Sequence, residues 1–114
     1  MKFQMDISEM EASAGDAAEL LTAMGNANRL LILCNLLGNE MPVQALADKI
    51  GMSQSALSQQ LSKLRAMRLV STRRDGRTIY YRVASAKVER VLETLYGIYC
   101  APTQASQPVP EETA

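Results

Sequence analysis

Histidine does not occur among the 114 residues, and neither does tryptophan. The first absence removes the side chain most used as a general base and a frequent ligand of transition metals. There are two cysteines, Cys34 and Cys100, and no Cys-x-x-Cys pair, too few for a structural zinc site in one chain. They stand 66 positions apart (100 − 34). In a cytosolic chain, two such thiols are usually separate buried or spare residues unless the fold brings them together. Phenylalanine occurs once, so the core has to be built from Leu, Ala, Val, Ile and Met. No apolar run approaches the ~20 residues of a membrane span. The first residues, Met-Lys-Phe-Gln-Met-Asp, lack the apolar segment of a secretory signal. The expectation is a cytoplasmic protein with no membrane partner and no cofactor. A small thiol enzyme working through Cys100 is disfavoured by the missing histidine and redox motif.

What is present is enough for one domain, with 47% apolar residues over an ordinary domain length. The net charge is zero, but the charges are sorted along the chain. Residues 61–90 hold nine basic side chains against two acidic ones, whereas the first sixty hold three basic and seven acidic. A basic patch on a neutral chain suits a polyanionic partner.

Periodicity divides the chain into a polar, flexible N-terminus at 1–8, a folded domain over 9–101 and a Pro/Gln/Ser/Thr-rich disordered tail at 102–114. Met10, Ala14, Ala17, Leu20, Leu21 and Met24 repeat at three and four, which predicts a first helix from Glu9 to about Ala23. Gly25-Asn26 ends it, and Asn26 or Asn28 opens a second helix with Leu30, Leu33, Cys34 and Leu37 on one face. Val43 to Ile50 forms a third helix of about two turns. Gly51-Met52-Ser53 is then a short turn before a fourth helix, Ser53 to Met67, with Leu57, Leu61 and Leu64 on its apolar side. Ala47 and Gly51 are small where two helices have to cross. Short helix, turn and second helix is the form of a helix-turn-helix.

The polar side of that fourth helix is unusual. Gln54, Ser55, Ser58, Gln59 and Ser62 are uncharged donors and acceptors, and Lys63 and Arg65 follow them. Amides and hydroxyls suit base edges in a DNA groove, and the cations suit phosphates. Downstream, Leu69–Arg73 and Thr78–Val83 read as strands joined at Asp75-Gly76, a strong hairpin signal. The hairpin tip displays Arg73, Arg74 and Arg77, as a wing over a phosphate backbone would. A last helix runs from Ser85 to Cys100 through Val88, Val91, Leu92, Leu95 and Ile98. The expected fold is mainly α with a small β-hairpin, a winged helix-turn-helix in the order α-α-α-α-β-β-α. Its first and last helices are apolar enough to form a homodimer. A two-fold dimer sets recognition helices about 34–36 Å apart, on successive major grooves of double-stranded operator DNA.

The stretches Ala23–Leu33, Leu46-Ala47 and Ser53–Leu61 resemble the ArsR/SmtB winged-helix repressors. Ile32-Leu33-Cys34-Asn35-Leu36-Leu37, with Leu95-Tyr96-Gly97-Ile98-Tyr99-Cys100, is similar to the BigR/SqrR/YgaV/HlyU group, which carries a cysteine pair at these two places. The resemblance spans roughly residues 10 to 101. One departure is Gln60, where relatives often have His, and it is expected to tune DNA contacts. The metal-sensing branches' Cys-x-Cys motif is missing from the third helix, and their Asp/His sites are missing from the last.

What the resemblance implies is a repressor with a redox switch at Cys34 and Cys100, bridged by a disulfide or polysulfide when oxidants or reactive sulfur species act as inducer. The bridged dimer leaves DNA, and sulfide-detoxification genes are transcribed. Alternatives are a regulator with purely structural cysteines or one with a metal(loid) inducer. In the implied switch, Cys34 faces inward and is a poor nucleophile, since burial raises a thiol pKa. Cys100, nearer solvent, attacks first. A sulfur chain strains the helices less than a direct disulfide, which confines the Cα separation to about 4.4–6.8 Å.

Overall fold

Four helices begin at a capping side chain, and these caps set the frame of the computed structural model, which describes residues 3–100. Asp6 accepts the Glu9 N–H at 3.3 Å and opens α1 (Ile7–Met24). Asn26, not Asn28, accepts the Arg29 N–H at 3.2 Å and opens α2 (Ala27–Leu36). Ser53 accepts the Ala56 N–H at 3.1 Å ahead of α4 (Gln54–Ala66), and Ser85 accepts the Val88 N–H at 3.2 Å ahead of α5 (Ala86–Tyr99). Each side-chain oxygen satisfies an N–H that has no partner inside its helix. The first helix therefore starts two residues before the expected Glu9, inside the stretch read as flexible. The tail at 102–114 lies outside the described residues.

Between α2 and α3 (Val43–Ile50) the chain makes a two-residue strand that the sequence did not announce, β1 (Met41–Pro42). It pairs antiparallel with β3 (Thr78–Val83), which in turn pairs with β2 (Val70–Asp75), so the sheet order is β1-β3-β2. The hairpin register sets Asp75 opposite Thr78 and leaves Gly76-Arg77 as the two-residue turn. Gly76 has φ +66, and Arg77 is not left-handed. That is the demand of a type II′ turn, which puts glycine first.

The core gathers one layer from every helix: Met24, Ile32, Leu33, Leu36, Leu46, Leu57, Leu61, Leu64, Val88 and Leu92 are buried, closed below by Val70 and Val83 of the hairpin. Leu57, Leu61 and Leu64 are all fully buried, as their spacing predicts. At roughly 1.5–3 kcal/mol per fully buried side chain, these three anchor α4. Ala47 is likewise buried at the α3–α4 contact. Gly51 has a different role from the one expected. Nothing lies within 4 Å of where its Cβ would be, and its φ is +81. The residue is needed for a left-handed helix end rather than for a close crossing.

The helix α4 ends less conventionally. Leu69 N–H bonds to Leu64 O at 2.9 Å and Arg68 N–H to Arg65 O at 2.9 Å, a Schellman pattern with Arg68 at φ 64 where glycine is usual.

Much of α1 and α5 packs on nothing among the described residues. On α1 the expected apolar face is covered only toward the C-terminus. Ala23 and Met24 are buried and Leu20 partly so, whereas Met10 and Leu21 stay exposed. On α5 the same holds beyond Leu92, with Tyr96, Ile98 and Tyr99 exposed. Leu31 of α2 is exposed as well.

Candidate nucleic-acid interface and cysteine pair

At 100° per residue, the buried leucines of α4 leave Gln54, Ser55, Ser58, Gln59 and Arg65 within one sector of about 140° on the outer side. All five are exposed. Ser53 spends its hydroxyl on the helix cap, but among the described residues Gln54, Ser55, Ser58 and Gln59 make no side-chain hydrogen bond. Their donors and acceptors are thus free for an outside partner, which the sequence reading required. Lys63 is exposed about 40° beyond the edge of the sector.

Gln60 belongs to a different contact. It is half-buried, and its Oε1 accepts the Arg29 Nε–H at 2.8 Å, while Arg29 Nη1 donates to Ala23 O at 3.3 Å. Gln60 therefore ties α4 to the end of α1 and the start of α2. The departure expected to tune DNA contacts has its amide oxygen turned toward the protein.

The three wing arginines separate into two kinds. Arg74 and Arg77 are exposed with no carboxylate partner among the described residues. Arg74 reaches only the carbonyl of Gly76, at 3.5 Å. Arg73 is committed: its Nη2 donates to Glu40 Oε1 at 2.7 Å, and its Nε reaches both oxygens of Glu40 at 3.1 Å. The guanidinium carbon lies 4.7 Å from the centre of the Tyr80 ring, and Asp75 Oδ2 stands 4.0 Å from Nη1. The hydrogen bond from Arg73 holds the Glu40 carboxyl below the usual carboxylate range, with the charges of Arg73 and Arg82 adding to it. The same bond raises Arg73. Sequence spacing gave no sign of this pair, whose members are 33 positions apart.

Both cysteines are free thiols, and both are exposed. For Cys34 this corrects the inward placement. The face of α2 turned to the core is Ile32, Leu33 and Leu36, with Leu30 and Leu37 only partly covered. Cys34 therefore sits on the outer side with Leu31. Cys100 caps the C-terminus of α5, its N–H bonded to Tyr96 O at 2.8 Å. Partial desolvation raises the Cys34 thiol above its ordinary pKa, and the negative charge of Cys100 raises it further. Two thiols 66 positions apart are thus close enough in space for one charge to act on the other. Among the described residues, no three or more His, Cys, Asp or Glu side chains converge on a common point. No described helix is long and apolar enough to cross a membrane.

Residues 26–72 match the family model described as "Bacterial regulatory protein, arsR family". Over 102 residues the chain is 54% identical to the nodulation protein NolR of Rhizobium meliloti, covering 90% of this chain and 84% of NolR. It is 44% identical over 100 residues to the transcriptional activator HlyU of Vibrio cholerae, covering 88% of this chain and 93% of HlyU. The fold superposes on the crystal structure of the transcriptional repressor BigR from Xylella fastidiosa with a TM-score of 0.80 at 39% identity, over 86% of this chain and 100% of that one. A free polar face on α4, a basic wing beside it, the family match and relatives that include a transcriptional activator and a transcriptional repressor agree, and the chain belongs to the arsR family, as a DNA-binding winged helix-turn-helix transcriptional regulator.

Proposed function

We propose that the protein is a homodimeric repressor whose grip on operator DNA is released when Cys34 and Cys100 become bridged. The observation that carries the DNA half is the face of Gln54, Ser55, Ser58 and Gln59, unpartnered among the described residues, next to exposed cations at Lys63, Arg65, Arg74 and Arg77. In this reading the amides and hydroxyls read base edges while the cations hold phosphates. Gln59→Ala is expected to change which sequences are preferred. Arg74→Ala is expected to weaken binding alike on operator and scrambled DNA. Binding isotherms on both DNAs check this, and an equal loss for Gln59→Ala on both sinks the readout role.

The dimer is supported by the apolar residues left uncovered on α1 and α5, which a second copy would bury. The named relatives include an activator and a repressor. Repression is the sign implied by the resemblance to the ArsR/SmtB group, as are target genes for sulfide and reactive-sulfur detoxification.

The thiol half is supported by two unbridged, exposed sulfurs whose charges interact. Bridge formation removes two protons and two electrons from the thiols. A polysulfide takes both electrons and leaves as sulfide and a chain one sulfur shorter. In this reading Cys100, at the exposed end of α5, attacks the sulfur donor first, and Cys34, whose thiol pKa is pushed up by partial burial, resolves the intermediate. Such a bridge changes DNA affinity only if the joined geometry of α2 and α5 differs from the DNA-bound one.

The test is a DNA-binding assay on the upstream region with and without polysulfide, followed by intact mass. Cys34→Ser is expected to bind DNA normally and to ignore polysulfide. Release of that variant by polysulfide refutes the switch. A metal(loid) inducer would instead show as release by the ion with both thiols in place and the protein mass unchanged, neither lowered by the two hydrogens of a disulfide nor raised by added sulfur.

A further inference from the structure

Arg73 looks from the sequence like one of three equivalent cations on a wing tip, and the geometry around it is that of a strap. In the sheet order β1-β3-β2, its side chain starts on one edge strand. It passes over Tyr80, its direct cross-strand partner on the central strand, at 4.7 Å. It ends on Glu40, the residue immediately before the other edge strand, with three donor–acceptor distances of 2.7, 3.1 and 3.1 Å. One edge of the guanidinium fork is filled by a carboxylate and one face by a ring. Planarity and the fork are what arginine has and lysine lacks. Three residues further on, the hairpin turns at Gly76, so among the described residues this strap is the last side-chain tie to another element before the tip that carries Arg74 and Arg77.

We propose that Arg73 and Glu40 form a positioning pair that sets the angle of the wing against the helix-turn-helix, and that Arg73 is not itself a phosphate ligand. The inference rests on the wing lying against DNA. The cations that meet phosphate there are Arg74 and Arg77, while Arg73 stays on Glu40 in the complex. Glu40 leads directly into β1, and Pro42 at the end of β1 is the N-cap of α3. The strap therefore fixes the hairpin to the chain that starts the first helix of the helix-turn-helix.

The experiment compares the full-length wild type with R73K, E40Q, the double variant R73K/E40Q and R74A, measuring operator affinity across a salt series together with thermal midpoints. A positioning pair predicts that R73K loses affinity by about fivefold per dimer although its charge is kept, since the fork and the stacking are lost. E40Q is expected to lose a similar amount, the double variant no more than either single one, and the midpoints to stay put because both partners are surface groups. The slope of log affinity against log salt is unchanged in these variants. In R74A it flattens by about 0.9 per protomer, one counterion fewer at each wing. Wild-type affinity in R73K overturns the proposal, because a lysine serves a phosphate as well. So does tighter binding by E40Q, which would mean that Glu40 was masking a phosphate ligand or merely repelling DNA. A slope unchanged in R74A contradicts the wing-on-DNA reading itself and leaves a distinct signature from failure of the strap.

Discussion

Leu61→Ala is expected to lower the unfolding free energy by about 2–5 kcal/mol, the range for removing a fully buried leucine from a packed core. Leu61 is 0% exposed in the middle of α4, flanked on the same side by Leu57 and Leu64, also 0% exposed. Leu61 belongs to one buried cluster with side chains of every helix and of the hairpin, so neighbours have little room to collapse into the space. Against a typical domain stability of about 5–15 kcal/mol, the loss is a large fraction of the whole. Urea unfolding followed by circular dichroism measures it, and a change under about 1 kcal/mol would mean that the core around α4 is looser than its burial implies. Ser62→Ala, one position on and exposed, is the control and should stay within about 0.5 kcal/mol of wild type.

A second large effect is expected from a charge on the uncovered apolar surface. Leu21 on α1 is 59% exposed and Tyr96 on α5 is 62% exposed, so neither side chain supports the fold of its own chain. Leu21→Glu and Tyr96→Glu should each leave the helical spectrum intact. In a two-fold dimer each variant buries its new carboxylate twice, at a cost of several kcal/mol per charge. The dimer should therefore split at micromolar concentration. With one recognition helix instead of two on the operator, affinity should fall on the order of 100-fold or more, about 2.7 kcal/mol of lost interaction. Sedimentation velocity and DNA titration on the same samples check both halves. Variants that stay dimeric and bind normally would place the dimer contact elsewhere.

The parts of the fold that were legible in the sequence are those decided by neighbours. Asn26, Ser53 and Ser85 act on N–H groups three residues away, Gly76 supplies positive φ on the spot, and the leucines of α4 repeat at helical spacing. The exposed polar sector followed from the same spacing, since once Leu57, Leu61 and Leu64 point inward, Gln54, Ser55, Ser58 and Gln59 point out. What was not legible depends on distant partners. A strand of two residues ending in proline has no periodicity of its own, and β1 exists because Tyr80 and Tyr81 pair with it. Arg29 meets Gln60 across 31 positions, and Arg73 meets Glu40 across 33. Cys34 was misplaced because leucines at 30, 33 and 37 outline a plausible face. The core instead takes Ile32, Leu33 and Leu36, and a helix apolar on most sides does not say which side is turned inward.

The small sheet also bears on solubility. Its two outer strands, β1 and β2, each present a row of backbone groups that a strand of another molecule can pair with, the usual start of edge-to-edge aggregation. Both rows are guarded. The first is only two residues long and one of them is Pro42, which has no N–H to offer. The second carries Arg73, Arg74 and Asp75 toward its tip, where an incoming strand would have to bury charge. The charges that strap and arm the hairpin also keep it from templating β-structure in a crowded cell. A wing trimmed of its charges is thus expected to forfeit solubility as well as DNA.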